Sequence, residues 1–256
     1  MQPLFEARGI SKSYGSIIGC SDVNLTLYPG EVIGIVGESG SGKSTLLNCL
    51  SAQIIPDDGE VLFRSPSRGD VNILELTEAD QRYLARTEWA YVHQNPRDGL
   101  RMSVSAGGNI GERLMNIGSR HYGNIRDTAE DWMQRVELSA GRIDHRPSTF
   151  SGGMQQRLQI ARNLVTGPRL IFMDEPTGGL DVSVQARLLD LLRSLVQELS
   201  LSVIIVTHDL AVVRMLAHRM VVMQRGNVVE TGLADQVLDD PQHPYTQLLV
   251  SSILQV

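Results

Sequence analysis

The segment that most constrains the fold is residues 37–44, GESGSGKS, which directly follows the apolar run Val32–Val36. It fits the pattern G-x-x-x-x-G-K-[ST], in which a loop between a buried strand and a helix binds phosphate. The glycines let backbone N–H groups face an anion without clashes from Cβ atoms, and the following helix N-terminus adds partial positive charge. A chance glycine-rich turn is the alternative, but the fixed positions would coincide in roughly 1% of chains this long. This phosphate loop therefore predicts a nucleotide site.

Apolar runs elsewhere in the chain indicate a parallel sheet that is covered on both faces. Leu170–Met173 and Val203–Val206 are short and continuously apolar, as strands buried on both sides are. Between them an apolar stripe recurs at helical spacing. Its members are Val184, Leu188, Leu191, Leu192, Leu195 and Leu199. We predict an α/β core from this alternation.

Residues 95–150 have few strand signals, and we predict that they form an inserted helical subdomain. We expect glycine-rich loops around Gly107–Gly108 and Gly118, and a helix over Ile125–Leu138. Near the end of the chain, Gly226–Asn227 is predicted to be a hairpin turn. The domain prediction is a single unit over 1–256, with a nucleotide-binding core at 1–94 and 151–232 and a helical tail at 233–256.

Composition narrows the classes of partner. There are 23 basic and 29 acidic residues, giving a net charge of −6, so the broad cationic field that favours nucleic acid is missing. Cys20 and Cys49 are too few for a disulfide framework. No apolar run approaches the roughly 18 residues that span a bilayer. We expect a cytoplasmic protein that does not insert into the membrane and does not bind nucleic acid.

The strand predicted at Leu170–Met173 ends in two acidic residues, Asp174 and Glu175. In an open parallel sheet the carboxyl ends of the strands face the ligand crevice, so both carboxylates are expected to reach the phosphate site. Asp174 would then act on the shell of a magnesium ion, and Glu175 would polarise the attacking water. The alternative is a strand end whose acids only cap the next turn.

Residues 150–157, FSGGMQQR, lie upstream of this acidic pair, and we call them the signature segment. Ser151 can cap a helix whose first residues, Gly152 and Gly153, offer backbone N–H groups to an anion. The segment resembles the Leu-Ser-Gly-Gly-Gln signature of the ATP-binding cassette family, with Phe150 and Met154 as departures. The resemblance implies that a second subunit carries this site to the phosphate loop, in a head-to-tail dimer or with a paralogous cassette subunit. A capped helix without a ligand is the alternative.

The resemblance extends along nearly the whole chain and implies the fold of that family. It is a P-loop NTPase with a RecA-like core, an N-terminal antiparallel β subdomain and an inserted helical subdomain. Tyr14 corresponds to the aromatic residue that stacks on adenine, and Gln94 to the glutamine that contacts magnesium. Asp181 lies in the loop that crosses to the partner subunit, and His208 matches the histidine that touches the γ-phosphate. Alone, Tyr14 would be surface packing and His208 a capping or core residue.

The resemblance and the motifs together imply ATP and Mg²⁺ as ligands, and they give three sets of predicted site residues. The catalytic residues are Lys43, Gln94, Glu175 and His208. The magnesium ligands are Ser44, Gln94 and Asp174. The nucleotide-binding residues are Tyr14, Gly37, Glu38, Ser39, Gly40, Ser41, Gly42, Lys43, Ser44, Thr45, Ser151, Gly152, Gly153 and Asp181.

Two branches of the family compete for the biological role. Residues 181–186 and the tail 241–246 look like the peptide and nickel importer ATPases. In contrast, residues 86–115, 120–123 and 150–181 closely resemble the ATP-binding subunits of carbon-phosphorus lyase complexes. That likeness implies soluble lyase core subunits as partners, and a part in phosphonate breakdown. An importer subunit and an ATP-gated assembly clamp with little turnover stay open. A group of arginines near Gln94 is either solvated surface or a docking face: Arg82, Arg86, Arg97 and Arg101.

Overall fold

The structure is a computed structural model that describes residues 2–252. The strands are β1 (Phe5–Tyr14), β2 (Ile17–Leu27), β3 (Val32–Val36), β4 (Asp58–Ser65), β5 (Gly69–Asn72), β6 (Trp89–Val92), β7 (Leu170–Asp174), β8 (Ser202–Thr207), β9 (Arg219–Gln224) and β10 (Asn227–Leu233). The helices are α1 (Lys43–Leu50), α2 (Glu78–Thr87), α3 (Pro96–Gly99), α4 (Ala106–Asn116), α5 (Tyr122–Arg135), α6 (Gly152–Leu164), α7 (Val182–Glu198), α8 (Leu210–Leu216), α9 (Ala234–Asp239) and α10 (Pro244–Ser251). Short 3₁₀ turns lie at Ala140–Arg142 and Pro147–Thr149.

The chain forms two compact units. The first combines the residues up to Gln81 with those from Ser200 onward, and the second is Arg82–Leu199. Within residues 2–252, no helix has the length and apolar character needed to cross a membrane.

The first unit contains an antiparallel sheet and a mostly parallel group of strands. The antiparallel sheet has the order β2-β1-β4-β5, which confirms the predicted N-terminal β subdomain. In the other group, β3 pairs in parallel with β8 on one side and β9 on the other, while β9 pairs antiparallel with β10. All residues of β3 and β8 are buried, which is why their sequences are continuously apolar rather than alternating.

The predicted hairpin is present, but its turn lies one residue earlier. Asn227 already pairs with Gln224 as the first residue of β10, so the turn consists of Arg225 and Gly226. Their φ angles are 49° and 82°, both in the left-handed region that a two-residue hairpin turn of type I′ requires. The prediction was wrong because the asparagine belongs to the ladder, and Arg225 takes the strained position.

The second unit contains β6 and β7, which pair in parallel with Trp89 opposite Leu170, together with α3 to α7. The predicted strand at Leu170–Met173 is confirmed, and so is the helix that carries the leucine stripe. That stripe is buried in α7 at Leu188, Leu191, Leu192 and Leu195. The prediction for α5 was shifted by about one turn. His121 caps Tyr122–Arg135 through Nδ1, and Glu137 adopts a left-handed φ of 56° that ends the helix.

Gly107 and Gly108 were predicted to form a loop, and the structure contradicts this. Both lie in the first turn of α4, where Ser105 Oγ accepts a hydrogen bond from Gly108 N at 3.2 Å. A Cβ atom at Gly107 would lie 2.4 Å from Cγ1 of Ile143. A glycine at position 107 therefore allows α4 to pack closely against Ile143. The sequence alone does not distinguish a glycine that serves such packing from one that forms a flexible turn.

Candidate nucleotide-binding site

The phosphate loop joins β3 to α1, as its position in the sequence predicts. Lys43 is 5% exposed, and its Nζ donates hydrogen bonds to the carbonyl oxygens of Gly37 at 2.8 Å and Glu38 at 2.9 Å. The ammonium group is therefore held inside the curve of the loop. Helix α1 begins here, and its N-cap residue Gly42 has no side chain to satisfy the first N–H groups. Both features attract an anion to this point.

Gly42 cannot be replaced without moving the backbone around it. Its φ is 102°, and a Cβ atom there would lie 1.9 Å from the carbonyl oxygen of Gly19. The loop is also tied to the β9–β10 turn, because Gly226 N donates to the carbonyl oxygen of Ser41 at 2.9 Å. The loop is thus held by its neighbours in a fixed shape.

The hydroxyl group of Ser41 fits a bound phosphate group. Ser41 is 4% exposed, and its Oγ has no hydrogen-bond partner within residues 2–252. An unsatisfied buried hydroxyl costs about 1–3 kcal/mol, so an acceptor such as a phosphate oxygen would stabilise it. Together with Lys43 and the uncapped start of α1, this supports the predicted phosphate site.

An apolar ledge lies on the antiparallel sheet of the same unit. Tyr14, at the end of β1, is 47% exposed and pairs with Ile17, which is 68% exposed. Ile18 is 51% exposed, and Nζ of Lys12 lies 5.9 Å from the Tyr14 ring centroid. The Tyr14 ring offers a face suited to stacking by a base, with Ile17 directly opposite it, whereas Ile18 is the next residue of the strand and faces the other side of the sheet. The sequence pointed to Tyr14 but not to the two isoleucines.

In the second unit, β7 ends in Asp174 and the chain turns sharply at Glu175. Glu175 adopts a left-handed φ of 43°, which is costly for a residue with a Cβ atom, and its carbonyl oxygen accepts from Gly178 N at 2.8 Å. Burial, the charge of Asp174 and a hydrogen bond to that carboxylate raise the pKa of Tyr91. Tyr91 thus donates to the Asp174 carboxylate, a partner that sequence reasoning missed.

The signature segment adopts the capped geometry that its sequence predicts. Ser151 is the N-cap of α6, and its Oγ accepts from Met154 N at 3.4 Å. Gly152 is exposed, whereas Gly153 is buried, and a Cβ atom there would lie 2.4 Å from Cγ1 of Val184 in α7. The first turn of α6 therefore faces solvent on one side and packs tightly on α7 on the other.

Two buried glutamines of α6 hold the backbone just before Gln94. Oε1 of Gln159 accepts from His93 N at 2.7 Å, and its Nε2 donates to the His93 carbonyl oxygen at 3.1 Å. Nε2 of Gln156 donates to the same oxygen at 3.3 Å. We call Gln156 and Gln159 the glutamine clamp. Sequence reasoning missed it, although polar residues on a helix face that is otherwise buried are a signal of such internal bonding.

A cleft of about 310 Å³ lies next to the clamp in the same unit. Gln94 is exposed, and its Nε2 lies 3.4 Å from the place that a Cβ of Gly178 would take. Residues 178–181, the crossing loop, line the cleft up to Leu180, and Gly152 lines it as well. Asp181 begins α7 without a side-chain capping bond, and Val182 next to it is 83% exposed. The structure thus brings the glutamine, the signature segment and the crossing loop together.

His208 follows β8 in the first unit and is exposed. Its neighbour Asp209 fixes the chain on both sides: Asp209 N donates to Thr207 Oγ1 at 3.0 Å, and its carboxylate caps α8 by accepting from Ala211 N at 2.8 Å. The histidine therefore projects from a rigid strand-to-helix turn. The sequence pointed to His208 alone and did not reveal that Thr207 and Asp209 hold the turn on which it lies.

Comparisons with known proteins agree with these features. A family model described as "ABC transporter" matches residues 20–178. The chain is 64% identical to the Escherichia coli (strain K12) protein named "putative phosphonates utilization ATP-binding protein PhnK", over 99% of each sequence. It is 38% identical to the oligopeptide transport ATP-binding protein OppF of Haemophilus influenzae, over 91% of this chain and 68% of that one.

A solved structure has the same fold. The ATP-binding cassette MJ0796, a dimer in a post-hydrolysis state with ADP and Pi, matches with a TM-score of 0.80 at 30% identity, covering 90% of this chain and 98% of that chain. The predicted cassette fold is thereby confirmed. The chain belongs to the ATP-binding cassette family, whose members bind and hydrolyse ATP, and it is an ATPase.

Proposed function

We propose that the chain hydrolyses MgATP at a head-to-tail interface between two cassette subunits, and that this cycle drives a conformational change in a carbon-phosphorus lyase complex. The observation that carries the pairing is the exposed surface of the second unit. Ser151 and Gly152 present a helix N-terminus to solvent, and Val182 of the neighbouring helix is 83% exposed. An apolar side chain beside an anion site is stabilised when a partner subunit buries it.

The residues of the first unit would bind the nucleotide. Lys43 exchanges its two carbonyl partners for phosphate oxygens, Ser41 donates its unsatisfied hydroxyl, and the loop N–H groups bind the remaining oxygens. Tyr14 stacks on the adenine, with Ile17 beside it. His208 lies at a turn from which it would contact the γ-phosphate.

The residues of the second unit would support hydrolysis. Ser44, Gln94 and Asp174 are the proposed ligands of Mg²⁺, and each carries an oxygen donor of the kind that this ion prefers. When bound, Mg²⁺ neutralises phosphate charge. Glu175, directly after the end of β7, polarises the attacking water. Asp181 and the signature residues Ser151, Gly152 and Gly153 act on the partner's nucleotide.

The link to phosphonate breakdown is supported by the 64% identity, over essentially full length, to a relative named for phosphonate utilisation. We therefore place the chain in the cytoplasm, with the helical subdomain 95–150 facing soluble lyase core subunits. The 38% identity to a peptide transport protein keeps an importer subunit as the second candidate. An assembly clamp with little turnover is the third, and a steady-state ATPase assay separates it from the first two.

The proposed docking face can be tested at Arg97. This arginine is exposed on α3, which Asn95 caps by accepting from Arg97 N at 3.1 Å. Arg101 is less suitable for charge reversal, because its guanidinium lies 2.8 Å from the Glu112 carboxylate. A glutamate at position 101 would repel Glu112 and disturb the local structure. Arg97→Glu should release the subunit from the lyase core and leave its MgATP affinity unchanged, since charges at an interface set orientation and on-rate.

The measurement is a pull-down of the tagged chain from a detergent-free lysate. Arg193→Glu, a reversal at an exposed arginine on α7, is the matched control and should retain the core. Recovery of an integral membrane permease without lyase subunits would contradict the proposal and favour the importer reading.

A further inference from the structure

A hydroxyl group from the C-terminal tail reaches the phosphate loop. The backbone N–H of Glu38 donates a hydrogen bond of 2.9 Å to Oη of Tyr245, across 207 residues of sequence. Tyr245 is 6% exposed and lies in a core cluster that includes Val36, the residue directly before the loop. The bond therefore forms where little water competes for either group.

The peptide group between Gly37 and Glu38 is consequently held at both ends. Its N–H is bound by Tyr245, and its carbonyl oxygen accepts from Nζ of Lys43 at 2.8 Å. A trans peptide is planar, with its N–H and C=O pointing in opposite directions, so fixing one fixes the other. Tyr245 thereby fixes the orientation of a loop peptide, and with it the carbonyl group that holds Lys43 until a phosphate oxygen takes its place.

The tail that carries Tyr245 is itself firmly attached. The carboxylate of Glu230 accepts from Gln242 N at 2.8 Å and from His243 N at 3.0 Å. Nδ1 of His243 then caps α10 by accepting from Tyr245 N at 3.2 Å, and Pro244 takes the first helical position. The backbone is therefore held in place at the residues directly before Tyr245, which keeps the tyrosine ring next to the phosphate loop.

We propose that Tyr245 is a positioning residue for the nucleotide site, whose hydroxyl holds the 37–38 peptide in the orientation that suits phosphate binding. The inference rests on the proposed role of residues 37–44 in binding the phosphates of ATP. Burial raises the pKa of the Tyr245 phenol above its ordinary value, so the group stays neutral at physiological pH. The tail thus belongs to the nucleotide site although it contacts no phosphate.

Tyr245→Phe removes the hydroxyl and leaves the ring to fill its cluster. We expect the Kd for MgATP to rise threefold to tenfold, which corresponds to about 0.7–1.4 kcal/mol and to the loss of one neutral hydrogen bond. The KM for ATP should rise by a similar factor, while kcat changes less than twofold, because the hydroxyl acts on the shape of the loop and not on the water. Amide hydrogen exchange in residues 37–44 should also become faster.

Thr246→Val is the matched control. It removes the hydroxyl of the next residue, which is fully buried and makes no hydrogen bond to the loop within residues 2–252. The full 256-residue chain with this change should bind MgATP within twofold of the unmodified chain. An equal loss of affinity in both variants would show that Tyr245 only stabilises the tail, and would overturn the inference.

Lys43→Ala separates the inference from the function on which it rests. If Lys43→Ala abolishes MgATP binding and Tyr245→Phe binds normally with unchanged loop exchange, the phosphate loop stands and the role of Tyr245 is refuted. If Lys43→Ala binds MgATP normally, the assignment of the loop itself is wrong. Weakened binding and faster loop exchange in Tyr245→Phe alone would support the positioning role.

Discussion

Replacing Gln159 by leucine should show whether the glutamine clamp holds the backbone before Gln94. Gln159 is fully buried, and its amide bonds to both backbone groups of His93 and to Oε1 of Gln156. Leucine has a similar volume but cannot make these bonds. The carbonyl oxygen of His93 would keep its 3.3 Å bond from Gln156, whereas the His93 N–H would lose the bond that it makes to Gln159.

The size of the effect follows from two groups that lose a partner, the His93 N–H and Oε1 of Gln156. An unsatisfied buried group costs about 1–3 kcal/mol, so two such groups at the low end of that range give an expected loss of about 2 kcal/mol in the free energy of unfolding. For a chain of this size each kcal/mol lowers Tm by roughly 2–4 °C, which gives a decrease of about 4–8 °C. Differential scanning calorimetry measures this directly. Gln134→Leu, at an exposed position on α5, is the control and should melt close to the unmodified chain.

The same variant should affect hydrolysis more than binding. Gln94 follows His93 directly, and a displacement of about 1 Å in a catalytic group can lower the rate by up to about 100-fold. We therefore expect kcat for ATP to fall by about tenfold or more, with Kd for MgATP nearly unchanged. If Gln159→Leu melts and turns over like the unmodified chain, the clamp does not support the site and the reasoning is refuted.

Two further predictions concern the nucleotide directly. Lys43→Ala should weaken MgATP binding by at least about 100-fold, because removing one partner of a buried ion pair costs about 3–5 kcal/mol. Titration with a fluorescent ATP analogue measures the affinity, and an unchanged value would contradict the assignment of Lys43 to the phosphate site. Glu175→Gln should keep MgATP binding but slow hydrolysis by about 10²- to 10⁴-fold, and it should give a long-lived dimer on a sizing column. Full activity in that variant would move the general base to another residue, with His208 the next candidate.

The parts of the fold that sequence predicted well are those whose signal is local. The continuous apolar runs of β3, β7 and β8 and the spacing of residues 37–44 are each contained in a few neighbouring residues. Boundaries were less accurate, because the end of α5 depends on the left-handed φ of Glu137, and the hairpin turn on that of Arg225. Neither residue is a glycine, so its sequence does not indicate the conformation.

Contacts between distant residues could not be predicted in this way. The bond between Glu38 and Tyr245 joins residues 207 apart, and the clamp joins Gln159 to His93 over 66 residues. Gly107 was misassigned for a related reason. Ile143 requires a glycine at position 107 because the two residues touch in the folded chain, although they are far apart in the sequence. In each case a short pattern is compatible with several environments, and only the folded chain decides among them.

The tight contact between Gly153 and Val184 has a consequence for how this sequence can diverge. Since a Cβ atom at position 153 would lie 2.4 Å from Cγ1 of Val184, the two positions share one small volume. A descendant with alanine at 153 would therefore need a smaller residue at 184, or a shift of α7 that would also move Asp181. Position 153 can accordingly gain a side chain only after position 184 has become smaller or α7 has moved, so the order of the two changes is fixed.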